Sequence, residues 1–452
     1  MEKKEVTFVL FGGTGDLTSR KLVPSFARLV NEGKIREDST IIGISRKNWN
    51  NDQYKNFLIG SIKDEKDKDY IKSLDIKFFR GNFTKNGLDG LRELIEKSER
   101  KGCNRIYYFS TSFKFFPEIV REIKRRKLHK QNKGFTRVVF EKPFGRDLKS
   151  SEKLDKEIHK TFSEKDVFRI DHYLAKETVQ NLNVLKFTNP IFYSTLNSYY
   201  VGSIEITVDE DLGIGNRIEY YNDTGAINDM IQSHLLQVLS LLLMERPTSL
   251  IPEKIHDEKV KILRNLKVLP AKHHLLGQYE SYVSEVKKVG LNVGRIETFA
   301  RIELNCKTKR WDGVKLVLRT GKKLKKKYGQ IRINFKPIEN FVHNLKNVMD
   351  NKIIIDIYPE QDVVIWMNTN TPEQSNEVKH ARFEFCRNCE FGPNTKDEYA
   401  TLLWEAIKGD KMLFTRADEV RESWDIVEKI ERIRDNIRFV YYEDGGEPED
   451  IA

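Results

Sequence analysis

Cysteine is scarce in this chain, with four in 452 residues: Cys103, Cys306, Cys386 and Cys389. That number cannot supply a disulfide scaffold, and the single C-x-x-C at Cys386 has no second pair to complete a zinc tetrad, so no metal is expected. Long apolar runs are missing as well. No stretch approaches the roughly 20 residues a membrane helix needs. The strand behind Met1-Glu2-Lys3-Lys4-Glu5 is too short and too soon interrupted for a secretory signal. These absences argue against membrane-embedded and secreted classes and predict a cytoplasmic protein. Internal repeats and long linkers are absent too. So is the repeated aromatic and basic stripe that tracks single-stranded nucleic acid.

What is present is ample material for folded cores, 39% hydrophobic and 11% aromatic. The length exceeds what one core usually serves, and the pattern predicts two domains, 1–172 and 173–452. Lys and Arg number 79 against 68 acids, a net charge of +11. That surplus suits an anionic partner, either nucleic acid or a phosphorylated metabolite with a phosphate-rich cofactor. Most of it, including the run Lys322 to Lys327, reads as solvated surface, and neither nucleic acid nor membrane is expected as a partner.

Over the first 170 residues or so, short apolar strands alternate with helical spacing. Val6 to Phe11, Thr40 to Ile44, Phe78-Phe79, Ile106 to Phe109 and Val138 to Phe140 read as strands. Leu22 to Val30, the Tyr54 to Ile71 region and Glu118 to Lys127 read as helices. The alternation predicts a Rossmann-like, doubly wound parallel sheet. Further on, strands follow one another with few helices between: Tyr199 to Val208, Ala300 to Leu304, Lys315 to Arg319, Gln330 to Phe335, Lys352 to Tyr358, Val363 to Met367 and Arg382 to Phe385. With flanking helices at Lys176 to Phe187, Ile227 to Met244 and Glu398 to Lys408, this predicts a larger α+β domain on a mainly antiparallel sheet. The acidic, glycine-bearing end from Asp444 reads as a fraying terminus.

Phe11-Gly12-Gly13-Thr14-Gly15-Asp16-Leu17 falls where the first strand turns into the first helix, and bare backbone there lets a pyrophosphate approach helix amides. Thr18 stands where the third glycine of G-x-G-x-x-G would be. At the end of the second strand Arg46 offers a guanidinium where an NAD-preferring protein offers an acid. With Ser45 or Lys47 it favours NADP, although the position also fits a plain loop arginine.

Two further segments carry chemistry. Arg169-Ile170-Asp171-His172-Tyr173-Leu174-Ala175-Lys176-Glu177 gathers cations and a carboxylate. On a helix His172 and Lys176 share a face at i and i+4 and suit a phosphate; the same charges fit a surface helix. Asn228-Asp229-Met230-Ile231-Gln232-Ser233-His234-Leu235-Leu236-Gln237 opens a strongly apolar helix. A histidine there is commonly a core residue, but a carboxylate such as Asp171 would fix its tautomer and make it a base.

Four segments together resemble the glucose-6-phosphate dehydrogenase family. They are Gly15-Asp16-Leu17 in its turn, Glu141-Lys142-Pro143-Phe144-Gly145-Arg146-Asp147-Leu148, the Arg169 to Glu177 run with Val179-Gln180-Asn181-Leu182, and Gln232 to Gln237 with Met244-Glu245-Arg246-Pro247. Weaker matches, Leu276-Gly277-Gln278-Tyr279, Arg310-Trp311-Asp312-Gly313-Val314, Arg319-Thr320-Gly321-Lys322 and Arg421-Glu422-Ser423-Trp424, continue in order nearly to the end.

The resemblance implies oxidation of C1 of β-D-glucose 6-phosphate by NADP, the first oxidative step of the pentose phosphate pathway. It implies His234 as base with Asp171 as its partner. His172, Tyr173 and Lys176 are implied on the sugar phosphate, Lys142 beside both sugar and nicotinamide, and Glu210 and Asp229 on sugar hydroxyls. Lys322 and Lys327 would add basic contacts. Gly12, Gly13, Thr14, Gly15, Asp16, Leu17, Arg46 and Tyr108 would hold the cofactor, and relatives assemble as homodimers or homotetramers. Two alternatives remain, a dehydrogenase of a different sugar phosphate and a non-catalytic NADP-binding regulator. The chain also departs from the family pattern. Ser110 to Lys114 lacks the usual proline, Ala175 replaces a glycine, and Asp356 and Tyr358 argue against a second, structural NADP site.

Overall fold

The computed structural model describes residues 3–450 except 63, 100–102, 132, 338–344, 372–373 and 393–396. The chain divides into two compact units, one of Met1–Ala175 with Lys396–Arg421, the other of Lys176–Thr395 with Glu422–Ala452.

The first unit is built on seven strands in the order Phe414–Thr415, Val167–Ile170, Thr136–Phe140, Asn104–Phe109, Val6–Phe11, Thr40–Ser45, Asp75–Arg80. Every neighbouring pair is parallel except Phe414–Thr415 against Val167–Ile170. This is the Rossmann-like, doubly wound sheet the alternation predicts. Val6–Phe11 lies inside the sheet and is buried at all six positions, because helices cover both faces. The chain winds from it to one edge and then returns to the other. The turn after Val6–Phe11 therefore sits at the carboxyl-end crevice where the winding reverses.

Local chemistry sets the helix starts. Asn50 caps Asn51–Gly60 through a reciprocal pair with Gln53, and Asp147 caps Leu148–His159 through one with Ser150. The helix Glu398–Lys408 belongs to this unit, whereas the sequence pattern grouped it with the second sheet. Asp397 caps it and accepts 2.7 Å from the Ser25 hydroxyl. Its apolar face of Ala400, Leu403, Ala406 and Ile407 joins Phe8 and Phe26 in one core.

The second unit has a ten-stranded sheet among the described residues. Nine strands run Gln374–Phe385, Val363–Thr371, Lys352–Tyr358, Tyr328–Phe335, Val201–Asp209, Lys315–Gly321, Phe299–Cys306, Leu275–Tyr279, Arg438–Tyr442, and Leu266–Val268 adds to Phe299–Cys306. It is mainly antiparallel, as expected, with two parallel pairings, Lys315–Gly321 on Val201–Asp209 and Arg438–Tyr442 on Leu275–Tyr279. The end from Asp444 does not fray within the described residues. Asp444 holds Lys323 at 2.7 Å, and Glu447 and Glu449 each hold Arg319 at 2.6 Å. Cys386 and Cys389 are bonded to each other, and Cys103 and Cys306 are free and buried. No described helix is long and apolar enough to cross a membrane.

Candidate active site

In the first unit the glycine turn is shaped by close approach. A Cβ on Gly13 would stand 2.7 Å from Gly43 Cα, and one on Gly12, at φ 98°, would stand 2.3 Å from the Ser110 carbonyl oxygen. Both positions require glycine. The sequence reading missed three supports. Tyr54, fully buried, donates 2.7 Å to the Gly13 carbonyl. Thr18, in place of a third glycine, donates 3.0 Å to the Gly12 carbonyl and lies 2.9 Å from the Ser110 hydroxyl. Ser110 in turn donates 2.9 Å to the Phe11 carbonyl, so the wall that lacks the family's proline is braced by hydroxyls.

The amides of Gly12, Gly13 and Gly15 are spent on the turn itself, bonding to Ile44 and Gly12 carbonyls. The helix that begins at Asp16 follows directly, and its first-turn amides are those a helix leaves without an intrahelical partner. Asp16 is exposed and pairs with Arg20 at 2.7 Å, and Leu17 packs against the core. Thr14 donates 3.1 Å to the Ser45 hydroxyl, while the Lys47 ammonium sits 4.1 Å from the Trp49 ring centre. Both side chains beside Arg46 are thus committed, and Arg46 stands exposed at the strand end.

The segment from Glu141 folds as its residue types direct. The Lys142-Pro143 bond is cis, Gly145 takes φ 102°, and Asp147 opens the next helix. Tyr108 is fully buried, its hydroxyl donating to the Glu141 carboxylate. Burial pushes Glu141 up to about 7 despite that hydrogen bond and the charge of Lys142. Asp171 is 2% exposed, and its carboxylate accepts 3.0 Å from the Tyr173 amide. That bond bends the chain into a 3₁₀ turn, His172–Ala175, in which the rings of His172 and Tyr173 meet edge to face at 5.0 Å.

The expected single helix through His172 and Lys176 is not formed. Lys176 is extended, at φ −67° and ψ 130°, and the helix proper is Glu177–Thr188. The i, i+4 argument fails because Asp171 competes for the backbone of the first turn. Ala175 is buried in the core of the first unit, so its extra methyl packs against protein.

In the second unit Lys176 places its ammonium 5.5 Å from the Tyr358 ring, and Glu177 pairs with Arg387. His234 is 1% exposed, in a π-helical stretch Ile227–Leu235 that continues as the α-helix Leu236–Leu243. π-Helical turns concentrate at functional sites, and this one carries both Asp229 and His234.

Both ends of this rod are tied. At the start Glu297 accepts 3.0 Å from the Ile227 amide and pairs with Arg434; a Cβ on Gly225 would fall 2.3 Å from its carboxylate. At the far end the Lys186 ammonium donates 2.6 Å to the Leu242 carbonyl and also to Met244, and the Trp311 indole donates 2.7 Å to Leu243. Burial, with Arg310 adding to it, pushes Lys186 down to about 7. No spacing in the sequence pointed to Glu297 or Lys186, which lie far along the chain from the rod.

The Lys322 ammonium lies 2.5 Å from Glu210 Oε2 and 5.6 Å from the ring of Tyr221. Tyr221 is buried and its hydroxyl is held well above the usual phenol range, first by burial and then by the charges of Asp229, Glu297 and Glu210. Lys322 thus lies beside a ring whose hydroxyl feels the charges of Asp229 and Glu210, a ring that the sequence reading did not single out. Lys327 lies exposed, the third lysine beyond Leu324.

A Gly-shaped turn at the switch point of a doubly wound sheet, with an exposed arginine closing its second strand, marks a dinucleotide-dependent oxidoreductase. Residues 9–181 match the family model "Glucose-6-phosphate dehydrogenase, NAD binding domain" and residues 183–451 match "Glucose-6-phosphate dehydrogenase, C-terminal domain". The chain belongs to the glucose-6-phosphate dehydrogenase family. It is similar to the glucose-6-phosphate 1-dehydrogenase of Bacillus subtilis (strain 168), 34% identical over 95% of this chain and 91% of that one. A solved glucose-6-phosphate dehydrogenase in complex with its substrate glucose-6-phosphate is 29% identical, with TM-score 0.89 over 98% of this chain and 95% of that one. The Mycobacterium avium glucose-6-phosphate 1-dehydrogenase gives TM-score 0.86 at 27% identity, over 99% of this chain and 95% of that one.

Proposed function

We propose that this enzyme oxidises the C1 hydroxyl of β-D-glucose 6-phosphate with NADP, giving 6-phosphoglucono-1,5-lactone. The fixed pair of Glu210 and Lys322 beside Tyr221, whose hydroxyl also feels the charge of Asp229, carries this reading, because a neutral sugar ring needs carboxylates and an ammonium held in one orientation. His234 takes the hydroxyl proton, and Asp171 orients the imidazole and stabilises its charged form. The rigid mounting of the helix at both ends holds the base in place, as general-base catalysis demands.

His172, Tyr173 and Lys176 take the sugar phosphate, which carries nearly two negative charges at neutral pH. Lys142 lies at the nicotinamide side, and Lys327 adds a basic contact from the exposed run. The glycine turn from Gly12 to Leu17 receives the pyrophosphate, Tyr108 supports that end through Glu141, and Arg46 takes the 2′-phosphate. Bound NADP supplies the hydride acceptor. The proposed working division is 1–172 for the cofactor and 173–452 for substrate and assembly, except that the later segment through Glu398–Lys408 and Phe414–Thr415 completes the cofactor unit. The proposed form is a cytoplasmic homodimer or homotetramer, as the family resemblance implies.

The test is the ultraviolet absorbance of reduced nicotinamide with a panel of sugar phosphates, each with NAD and with NADP. Turnover confined to glucose 6-phosphate and faster with NADP is expected. Turnover of a different sugar phosphate alone, or of none, would overturn the assignment.

A further inference from the structure

The turn that follows strand Lys315–Gly321 contains a backbone conformation that its residue type resists. Lys323 has φ 50°, the left-handed region that a side-chain-bearing residue rarely adopts. Such conformations persist where the surroundings over-determine them, and they cluster at functional sites. Here the surroundings are specific. The Lys323 ammonium donates 2.7 Å to Asp444 Oδ2 and 2.8 Å to the Ser281 hydroxyl, and it lies 3.2 Å from Glu285. Its carbonyl accepts 2.8 Å from the Gly445 amide, and its own amide donates 3.2 Å to Leu212.

Its neighbour Lys322 is held just as fully. The Lys322 amide donates 2.9 Å to the Thr298 carbonyl, and its carbonyl accepts 2.7 Å from the buried Tyr442 hydroxyl. On the other side Gly321 has no space to give, since a Cβ there would stand 2.7 Å from Leu324 and 2.8 Å from Phe299. The direction of the Lys322 side chain toward Glu210 is therefore set by a peptide plane shared with Lys323.

We propose that Lys323 and Asp444 are positioning residues for the reaction, their ion pair locking the left-handed turn that aims Lys322 at the substrate. The inference rests on the reading of Lys322 as a sugar contact. Charge supports the geometry. The hydrogen bond to Asp444 raises the Lys323 ammonium above its ordinary value. Burial alone would raise Asp444, but hydrogen bonds from Lys323 and Ser281 outweigh it and hold the carboxylate low. Without the pair, residue 323 relaxes toward the right-handed region, the shared peptide rotates off Tyr442, and the Lys322 ammonium leaves its place.

The experiment compares Asp444→Asn, Lys323→Ala, Lys323→Gly and Lys323→Arg with the unmodified enzyme, by steady-state kinetics and by calorimetric binding of glucose 6-phosphate and of NADP. Asp444→Asn and Lys323→Ala should raise KM and Kd for glucose 6-phosphate about tenfold, the scale of one charge-assisted hydrogen bond. NADP affinity and kcat should stay within about twofold, as expected when ground-state binding alone is lost. Lys323→Gly should lose less than Lys323→Ala, since glycine accepts the left-handed turn, and Lys323→Arg should restore most of the affinity. An unchanged KM in Asp444→Asn would overturn the proposal. So would a parallel loss of melting temperature, NADP affinity and kcat, which marks a merely structural pair. An unmodified enzyme that neither binds nor turns over glucose 6-phosphate would instead remove the reading of the site.

Discussion

Glu210 Oε2 and Lys322 Nζ stand 2.5 Å apart, beside a buried tyrosine ring that also feels Asp229. Removing either partner leaves the other charge without its counterpart. Glu210→Gln and Lys322→Ala should each weaken glucose 6-phosphate binding by about 1.5 to 3 kcal/mol. The double variant should fall short of the sum by on the order of 1 kcal/mol, because the two groups act together. Calorimetric titration of the four proteins measures this, and strict additivity would show that the groups work separately.

His234→Asn keeps the shape and polarity of the site but cannot take a proton. We expect kcat to fall by about 10² to 10⁴-fold. The dissociation constant for glucose 6-phosphate should hardly change. Lys176→Thr should do the reverse, raising KM with less effect on kcat, because its ammonium is assigned to the phosphate. Near-normal turnover in His234→Asn would remove the base.

Arg46 is exposed at a strand end where Lys47 is occupied by Trp49. Arg46→Ala should weaken NADP by roughly 10- to 100-fold, the scale of a charge-assisted contact, and leave NAD nearly untouched. Equal losses for the two cofactors, read by fluorescence titration, would dissociate Arg46 from the 2′-phosphate.

Glu141 has a folded pKa pushed up to about 7 by burial, above the ordinary carboxyl range near 4.3. Its stabilising contribution is fully present below the unfolded pKa and is lost as pH rises through the folded one. The stability of the unmodified enzyme relative to Glu141→Gln should therefore decline from pH 4.5 to pH 7 by roughly 1 to 3 kcal/mol. Calorimetric melting of both proteins across that window decides it, and a flat difference would mean that Glu141 ionises normally.

Much of the architecture was legible in the sequence, because strands buried on both faces, such as Val6–Phe11, read as continuous apolar runs. The glycine turn was legible for a related reason, since Gly12 and Gly13 stand where no Cβ fits. Three things were not legible. Short strands such as Leu275–Tyr279 and Arg438–Tyr442 mix polar and aromatic residues and carry no clear period. The 3₁₀ turn at His172 replaced a helix because a local carboxylate competed for the backbone. Glu297 and Tyr442, and Tyr221 in its approach to Lys322, act through contacts with residues far away in sequence, and spacing holds no trace of such contacts.

The return of residues 396–421 to the first sheet governs how this protein can be made and dissected. A ribosome must synthesise almost all of the second unit before Phe414–Thr415 can close the edge beside Val167–Ile170 and before the helix Glu398–Lys408 can cover its share of the core. Until then the nascent chain carries an open strand edge and uncovered apolar surface, the state in which newly made proteins aggregate or engage chaperones. A gene fragment stopped near residue 175 would express that same unfinished state permanently, so a stand-alone cofactor domain requires grafting the later segment back on.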